Sequence, residues 1–139
     1  MNKVFLDSDV ILDLLLNREP DVVFIEQIFT KIEIGDIEGY TSSLIYSNVY
    51  YVLRKYTNHE KAMSGINKLK QIIRILNVGR NEIFSASESD FTDFEDAIQI
   101  YTAKNNKIKV IITRNKKDYK KSDLIIMNAE EFIKSAVLK

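Results

Sequence analysis

The sequence predicts an α/β fold in which a central, mostly parallel sheet of four to five strands is flanked by helices. Three observations predict it. Short apolar runs alternate with stretches of helical periodicity along the chain. Val110-Ile111-Ile112 is an unbroken β-branched run, the signature of a strand covered on both faces. Val4-Phe5-Leu6 runs directly into Asp7. A buried strand ending in a carboxylate suits the mouth of a parallel sheet, where ligands bind beyond the carboxyl ends of the strands.

Lys3 to Leu6 reads as the first strand, and Ser8 or Asp9 as the cap of a helix carrying Val10, Ile11, Leu14 and Leu15. After a break at Asn17 to Pro20, Asp21 opens a second helix with Val22, Ile25, Ile28, Phe29 and Ile32 on one side, ending near Gly35. Glu38 to Thr41 forms the second strand. Ser42 or Ser43 then starts a helix with Ile45, Val49, Val52, Leu53 and Tyr56 inward. Asn58 caps a fourth helix, with Ala62, Ile66, Leu69 and Ile73 toward the core. Ile75 to Val78 reads as a strand and Asn81 to Ala86 as a short helix.

Thr92-Asp93-Phe94-Glu95 has the form of a capping box, a hydroxyl followed three residues later by a glutamate. The helix it opens carries Phe94, Ala97, Ile98 and Tyr101 inward and breaks at Asn105-Asn106. Val110 to Ile112 and Leu124 to Met127 complete the strands, and Asn128 to Val137 closes as a helix. With one proline, four glycines and no internal repeat, residues 1–139 read as a single domain.

Composition removes several function classes. Lys plus Arg equals Asp plus Glu, 20 each, so no overall positive field attracts nucleic acid, and any such binding must come from a local patch. The absence of cysteine excludes disulfides, thiolate metal sites and a cysteine nucleophile. A single histidine, His59, argues against an imidazole zinc site or a Ser-His-Asp triad. Asp7, Asp9 and Asp13 interrupt the N-terminal apolar stretch, and no window has the uncharged length of a membrane span, so a cytoplasmic location is expected.

Chemistry-bearing residues fall where a parallel sheet places its site. Asp7 follows the first strand. Asp93 and Asp96, three residues apart, share one face of a helix's first turn. Thr113-Arg114-Asn115, with Asp118 close behind, follows the strand ending at Ile112. Carboxylates converging from separate elements repel unless a cation neutralises them, and oxygen ligands without Cys or His favour Mg²⁺ or Mn²⁺. Structural roles stand beside these. Asp7 can cap the following helix, Asp93 and Asp96 suit a helix N-terminus, and Asp118 lies in a charged run of the kind solvated loops carry. Tyr50, Tyr51 and Tyr56 can stack on bases or pack in the core.

Three segments carry a resemblance: Phe5-Leu6-Asp7-Ser8-Asp9-Val10-Ile11-Leu12, Asp93-Phe94-Glu95-Asp96-Ala97-Ile98-Gln99 and Ile112-Thr113-Arg114-Asn115-Lys116-Lys117-Asp118-Tyr119. In order and spacing they resemble the PIN domain, the nuclease fold of many bacterial VapC-type toxins, and the likeness covers nearly the whole chain. The resemblance implies a three-layer α/β/α sandwich, an acidic pocket for Mg²⁺ or Mn²⁺, cleavage of RNA, a small antitoxin partner and a homodimer. It implies that Asp7 and Asp96 are acids that ligate the metal, with Asn115 or Asp118 completing the shell. Asn48 falls where the pattern usually has a glutamate, as in a subgroup with asparagine in the second motif. An asparagine offers a carbonyl oxygen but neither charge nor a base. Thr113 and Ser8 are expected to orient water or phosphate oxygens, and Arg114, Lys116 and Lys117 to neutralise the RNA backbone.

Two other functions fit parts of the sequence. Asp7-Ser8-Asp9-Val10 after an apolar strand also resembles the first motif of haloacid dehalogenase-type phosphatases, with Asp7 as nucleophile and Asp9 as general acid. Asn48, Asn115 and the neutral net charge also suit a PIN-like module that binds RNA or protein with weakened catalysis.

Overall fold

Val4, Phe5 and Leu6 are buried because their strand takes the middle of the sheet. The computed structural model of the chain describes residues 2–119 and 122–137, with only the backbone of residues 118, 136 and 137. In it β1 (Asn2–Leu6) pairs in parallel with β2 (Ile37–Ser42) and β4 (Val110–Ile112). The outer strands, β3 (Arg74–Leu76) and β5 (Ile125–Met127), extend a five-stranded sheet of order β3-β2-β1-β4-β5. The register sets Phe5 beside Tyr40 on one side and Ile111 on the other.

Between strands run α1 (Ser8–Leu15), α2 (Val22–Glu33), α3 (Ser43–Tyr56), α4 (His59–Ile72), α5 (Arg80–Ser87), α6 (Phe94–Asn105) and α7 (Ala129–Val137). Helices α1 to α4 and α7 pack on one another, whereas α5 and α6 pair separately. Right-handed crossovers explain the split. The chain moves one way from β1 to β3 and then returns to β4, so the helices of the return connection fall on the other face. The result is three layers, α/β/α. The direction reverses between β1 and β4, and that switch point opens a crevice at their carboxyl ends.

Where the β1–β2 register ends at Phe5–Tyr40, the buried Thr41 hydroxyl takes over and donates to the Leu6 carbonyl at 2.7 Å. This bond fixes the last peptide before Asp7. Thr41→Val keeps the shape and removes the donor, so it is expected to destabilise the protein by about 1–2 kcal/mol, read as a lower urea midpoint.

Several local expectations change. Asp7, rather than Ser8 or Asp9, caps α1: its extended backbone (φ −76°, ψ 162°) is what an N-cap requires, and its carboxylate accepts from the Ser8 N–H. Asp93, rather than Thr92, caps α6 by accepting from the Asp96 N–H at 2.9 Å, which leaves no Thr92–Glu95 box. Phe94 and Tyr56 are exposed instead of facing the core. β3 begins and ends earlier than 75–78, and Ile75 is exposed because β3 is an edge strand. α5 runs one residue further at each end than expected, with Glu82 accepting from the Gly79 N–H at its start. The charged run after Arg114 is not an irregular loop but a 3₁₀ turn, Lys116–Tyr119, that buries Tyr119.

Candidate active site

At the switch point the ladder hydrogen bonds run on past the strands and place two side chains. The Asp7 N–H donates to the Ile112 carbonyl at 3.0 Å, and the Thr113 N–H donates to the Met127 carbonyl at 2.9 Å. Asp7 and Thr113 therefore stand side by side, and the Thr113 hydroxyl donates to Asp7 Oδ2 at 2.8 Å. The Tyr119 hydroxyl donates to the same oxygen at 2.9 Å, while Asp7 Oδ1 accepts from the Ser8 N–H at 2.8 Å. Charge-assisted bonds of this kind orient the carboxylate. Burial, and then the negative charges of Asp7 and Asp96, raise the Tyr119 pKa far above its ordinary value, so the hydroxyl stays protonated and donating. α6, which carries Asp96 in its first turn, packs against the 3₁₀ turn that ends at Tyr119.

Asp9 completes the acidic group. It accepts from the Arg114 N–H at 3.0 Å and lies 3.3 Å from the Thr113 hydroxyl, whose single proton goes to the nearer Asp7. Its other oxygen, Oδ1, is buried and has no hydrogen-bond partner among the described residues. Burial first, and the neighbouring Asp7 charge second, push the Asp9 pKa up to about 6. In metal-free protein this favours folding below pH 4, and the contribution is lost as pH rises through 6. Asp9→Asn keeps a carbonyl for the Arg114 N–H and removes the charge. It is expected to be more stable than the parent by up to about 3 kcal/mol at pH 7.5, a gain that vanishes near pH 4, in paired urea titrations.

One turn further along α1, Asp13 is buried and receives a two-pronged contact from Arg114, Nε to Oδ2 at 3.0 Å and Nη2 to Oδ1 at 3.2 Å. Arg114 and Lys116 were expected to face the RNA backbone, yet both side chains are engaged within the chain. Lys116 Nζ contacts both oxygens of Glu131 at 2.9 Å. Lys117 is exposed on the 3₁₀ turn itself.

The structure thus brings together Asp7, Ser8, Thr113 and the backbone of Arg114, with α6, the helix of Asp96, packed against the Tyr119 turn. Asn115 donates its N–H to the Thr113 hydroxyl at 3.2 Å, and its exposed side chain makes no hydrogen bond among the described residues. Asn48, half-buried on α3, likewise makes none. The Asp118 side chain, a candidate ligand, lies outside the described residues. Asp13 and Tyr119 were not assigned to the site from sequence, and Asp9 only in the phosphatase reading. The i, i+4 spacing of Asp9 and Asp13 was a usable sign, because it puts both on the α1 face that begins with Asp7.

Among the described residues no group of three or more His, Asp or Glu side chains gathers closely enough to hold a metal ion. The donors present still fit a hard divalent cation. They are all oxygen, Asp9 Oδ1 is buried without a partner, and a cation that retains several waters needs only one or two carboxylates.

A parallel sheet with Asp7 and Asp9 both facing Thr113 at its switch point defines the class, an α/β protein with an acidic site at its strand ends. Residues 3–117 match the PIN domain family. The chain is 32% identical over 135 residues to a protein named Ribonuclease VapC1 from Aquifex aeolicus, covering 94% of this chain and 92% of that one. The chain belongs to the PIN domain family.

Among solved structures, VapBC2 from Rickettsia felis bound to a promoter DNA fragment superposes with a TM-score of 0.71 at 16% identity, over 91% of this chain and 98% of that chain. VapC20 from Mycobacterium tuberculosis, described as a sarcin-ricin loop cleaving toxin, gives 0.61 at 14% identity, over 78% of this chain and 86% of that one. At these identities the two structures speak for the fold. Family membership sets aside the phosphatase reading, and Asp9 caps nothing but receives the Arg114 peptide N–H. No helix among the described residues is long and apolar enough to cross a membrane.

Proposed function

We propose that this chain, acting as one domain, is a metal-dependent ribonuclease that hydrolyses RNA phosphodiester bonds and serves as the toxin of a toxin–antitoxin pair. The supporting observation is the Asp7 carboxylate at the end of the central strand, oriented by Thr113 and Tyr119. Kinship with a protein named as a ribonuclease adds the substrate class. The VapBC assemblies that share the fold add the partner, a small antitoxin protein, and homodimerisation is part of the same proposal.

Asp7 and Asp96 would hold Mg²⁺ or Mn²⁺, with Asn115 or Asp118 supplying a further oxygen and Asn48 a neutral carbonyl. When bound, the cation supplies a nucleophilic water at neutral pH and offsets charge growing on the scissile phosphate. The Thr113 hydroxyl holds Asp7 in place, Ser8 orients a phosphate oxygen, and Lys117 neutralises the backbone of the incoming strand. Arg114 and Lys116 add positive potential from their fixed positions against Asp13 and Glu131.

The test is cleavage of a mixed RNA substrate with Mg²⁺ or Mn²⁺, after EDTA treatment, and after metal is restored. Cleavage that EDTA abolishes and Mn²⁺ restores is expected. Cleavage that survives chelation defeats the metal mechanism. Absence of three clustered acids among the described residues favours one second reading, a PIN-like module that binds RNA or protein without cutting. RNA binding with no cleavage under any metal condition would establish it.

A further inference from the structure

Three aspartates of one segment each receive a donor from two consecutive residues across the crevice. Thr113 Oγ1 donates to Asp7, the Arg114 N–H to Asp9, and the Arg114 guanidinium to Asp13. The third rung differs from the others in charge. It is a cation whose charge also acts on Asp9, the neighbouring carboxylate. Arg114 is held away from that group by the most buried acid of the set, Asp13, whose side chain is 4% exposed, whereas the arginine side chain is 46% exposed and has room to turn. Burial opposes the arginine's charge, but Asp13 and then Asp9 and Asp21 outweigh it and raise its pKa, so it is a permanent cation. Arg18 also reaches Asp13, at 3.6 Å, but it lies over the Tyr56 ring, with its N–H on the Asp13 carbonyl.

We propose that Asp13 is a positioning residue that restrains the Arg114 guanidinium, keeping this cation off the Asp7 and Asp9 carboxylates while the Arg114 peptide N–H remains on Asp9. The inference rests on the metal-dependent reading above. Without the Asp13 charge, the carboxylates left acting on the guanidinium are Asp21 and, the stronger of the two, Asp9 in the acidic pocket. An arginine there competes with a divalent ion for the same oxygens, in surroundings where such pairing is stronger than in water. Asp13 therefore acts on metal affinity through Arg114 and touches neither metal nor substrate.

The experiment is Mn²⁺ binding by titration calorimetry on the full chain as wild type, Asp13→Asn, Arg114→Gln and the double variant, with thermal unfolding of each. Asp13→Asn is expected to weaken Mn²⁺ binding about tenfold, because it frees one competing charge. Arg114→Gln is expected to bind at least as tightly as wild type, and the double variant to match Arg114→Gln, because the competitor is gone. Unchanged binding in Asp13→Asn overturns the proposal. So does a double variant as weak as Asp13→Asn, which assigns Asp13 to the fold alone. If Asp13→Asn does not fold, the double variant, with two neutral amides facing each other, carries the test: near wild-type binding supports the restraint and lost binding overturns it. Wild-type protein that binds no Mn²⁺ defeats the metal-dependent reading first, and this inference with it.

Discussion

Asp7→Asn is expected to lower RNA cleavage by about 10²–10³-fold while leaving the fold intact. Asparagine is as good an N-cap as aspartate, and its carbonyl still accepts from the Ser8 N–H, so α1 keeps its start. The atom replacing Oδ2 is now an amide nitrogen. It confronts the Thr113 and Tyr119 hydroxyls, two donors that the carboxylate satisfied. Loss of the charge also removes one of the two causes that raise the Asp9 pKa. The variant should therefore unfold near the parent's midpoint without metal, bind Mn²⁺ weakly and cleave RNA barely. Single-turnover cleavage at saturating RNA separates these effects. A variant retaining parental cleavage would remove Asp7 from the chemistry.

The second large effect belongs to Tyr119, where ring and hydroxyl do different work. The ring is fully buried in the main core, so Tyr119→Ala leaves a cavity and is expected to cost about 3–5 kcal/mol. Against a total stability of about 5–15 kcal/mol for a domain, that is a severe loss. Tyr119→Phe keeps the ring and removes only the donor to Asp7, a stability cost of about 1–2 kcal/mol. Its cleavage rate is expected to fall further than that change in stability implies, because Asp7 then loses one of the two hydroxyls that orient its Oδ2. Urea unfolding and cleavage rates on the Phe and Ala variants distinguish the two roles. Parental activity and Mn²⁺ affinity in Tyr119→Phe would reduce the hydroxyl to a packing detail.

The elements that could be read from sequence were those whose pattern is local. Val110-Ile111-Ile112 named a strand covered on both faces, and it lies between β1 and β5. Asn128 was read as the start of the last helix, and it exchanges hydrogen bonds with Glu131 there. The order of strands was not legible, because it depends on pairings between residues more than a hundred positions apart, such as Phe5 and Ile111. Caps were left open at α1, among Asp7, Ser8 and Asp9, and at α6, between a Thr92 box and the Asp93–Asp96 pair; Asp7 and Asp93 take the roles. In both, an aspartate beside a serine or threonine competes for the same role, and backbone geometry decides between them.

The site was legible where a residue ends a strand. Asp7 and Thr113 could be placed because apolar runs point to them. Tyr119 was hidden by the charges around it: in Lys116-Lys117-Asp118-Tyr119 the lysines suggest solvent, and only the 3₁₀ turn reveals that the tyrosine points inward. In the sequence Asp13 stood out only as one of three aspartates that interrupt the N-terminal apolar stretch. Its burial follows from Arg114, 101 positions away, which no local pattern announces. The same contact explains why Arg114 is not simply an outward-facing basic residue.

The central position of β1 has a consequence for how this protein opens. Edge strands such as β3 and β5 can detach in partial unfolding events that leave the rest of the sheet standing. β1 cannot, since it is flanked on both sides by strands it holds in register. The Asp7 amide, bonded to the Ile112 carbonyl, should therefore exchange with solvent deuterium only when the whole domain unfolds, while amides of β3 and β5 exchange sooner. The first acid of the pocket would then persist for as long as the molecule is folded at all.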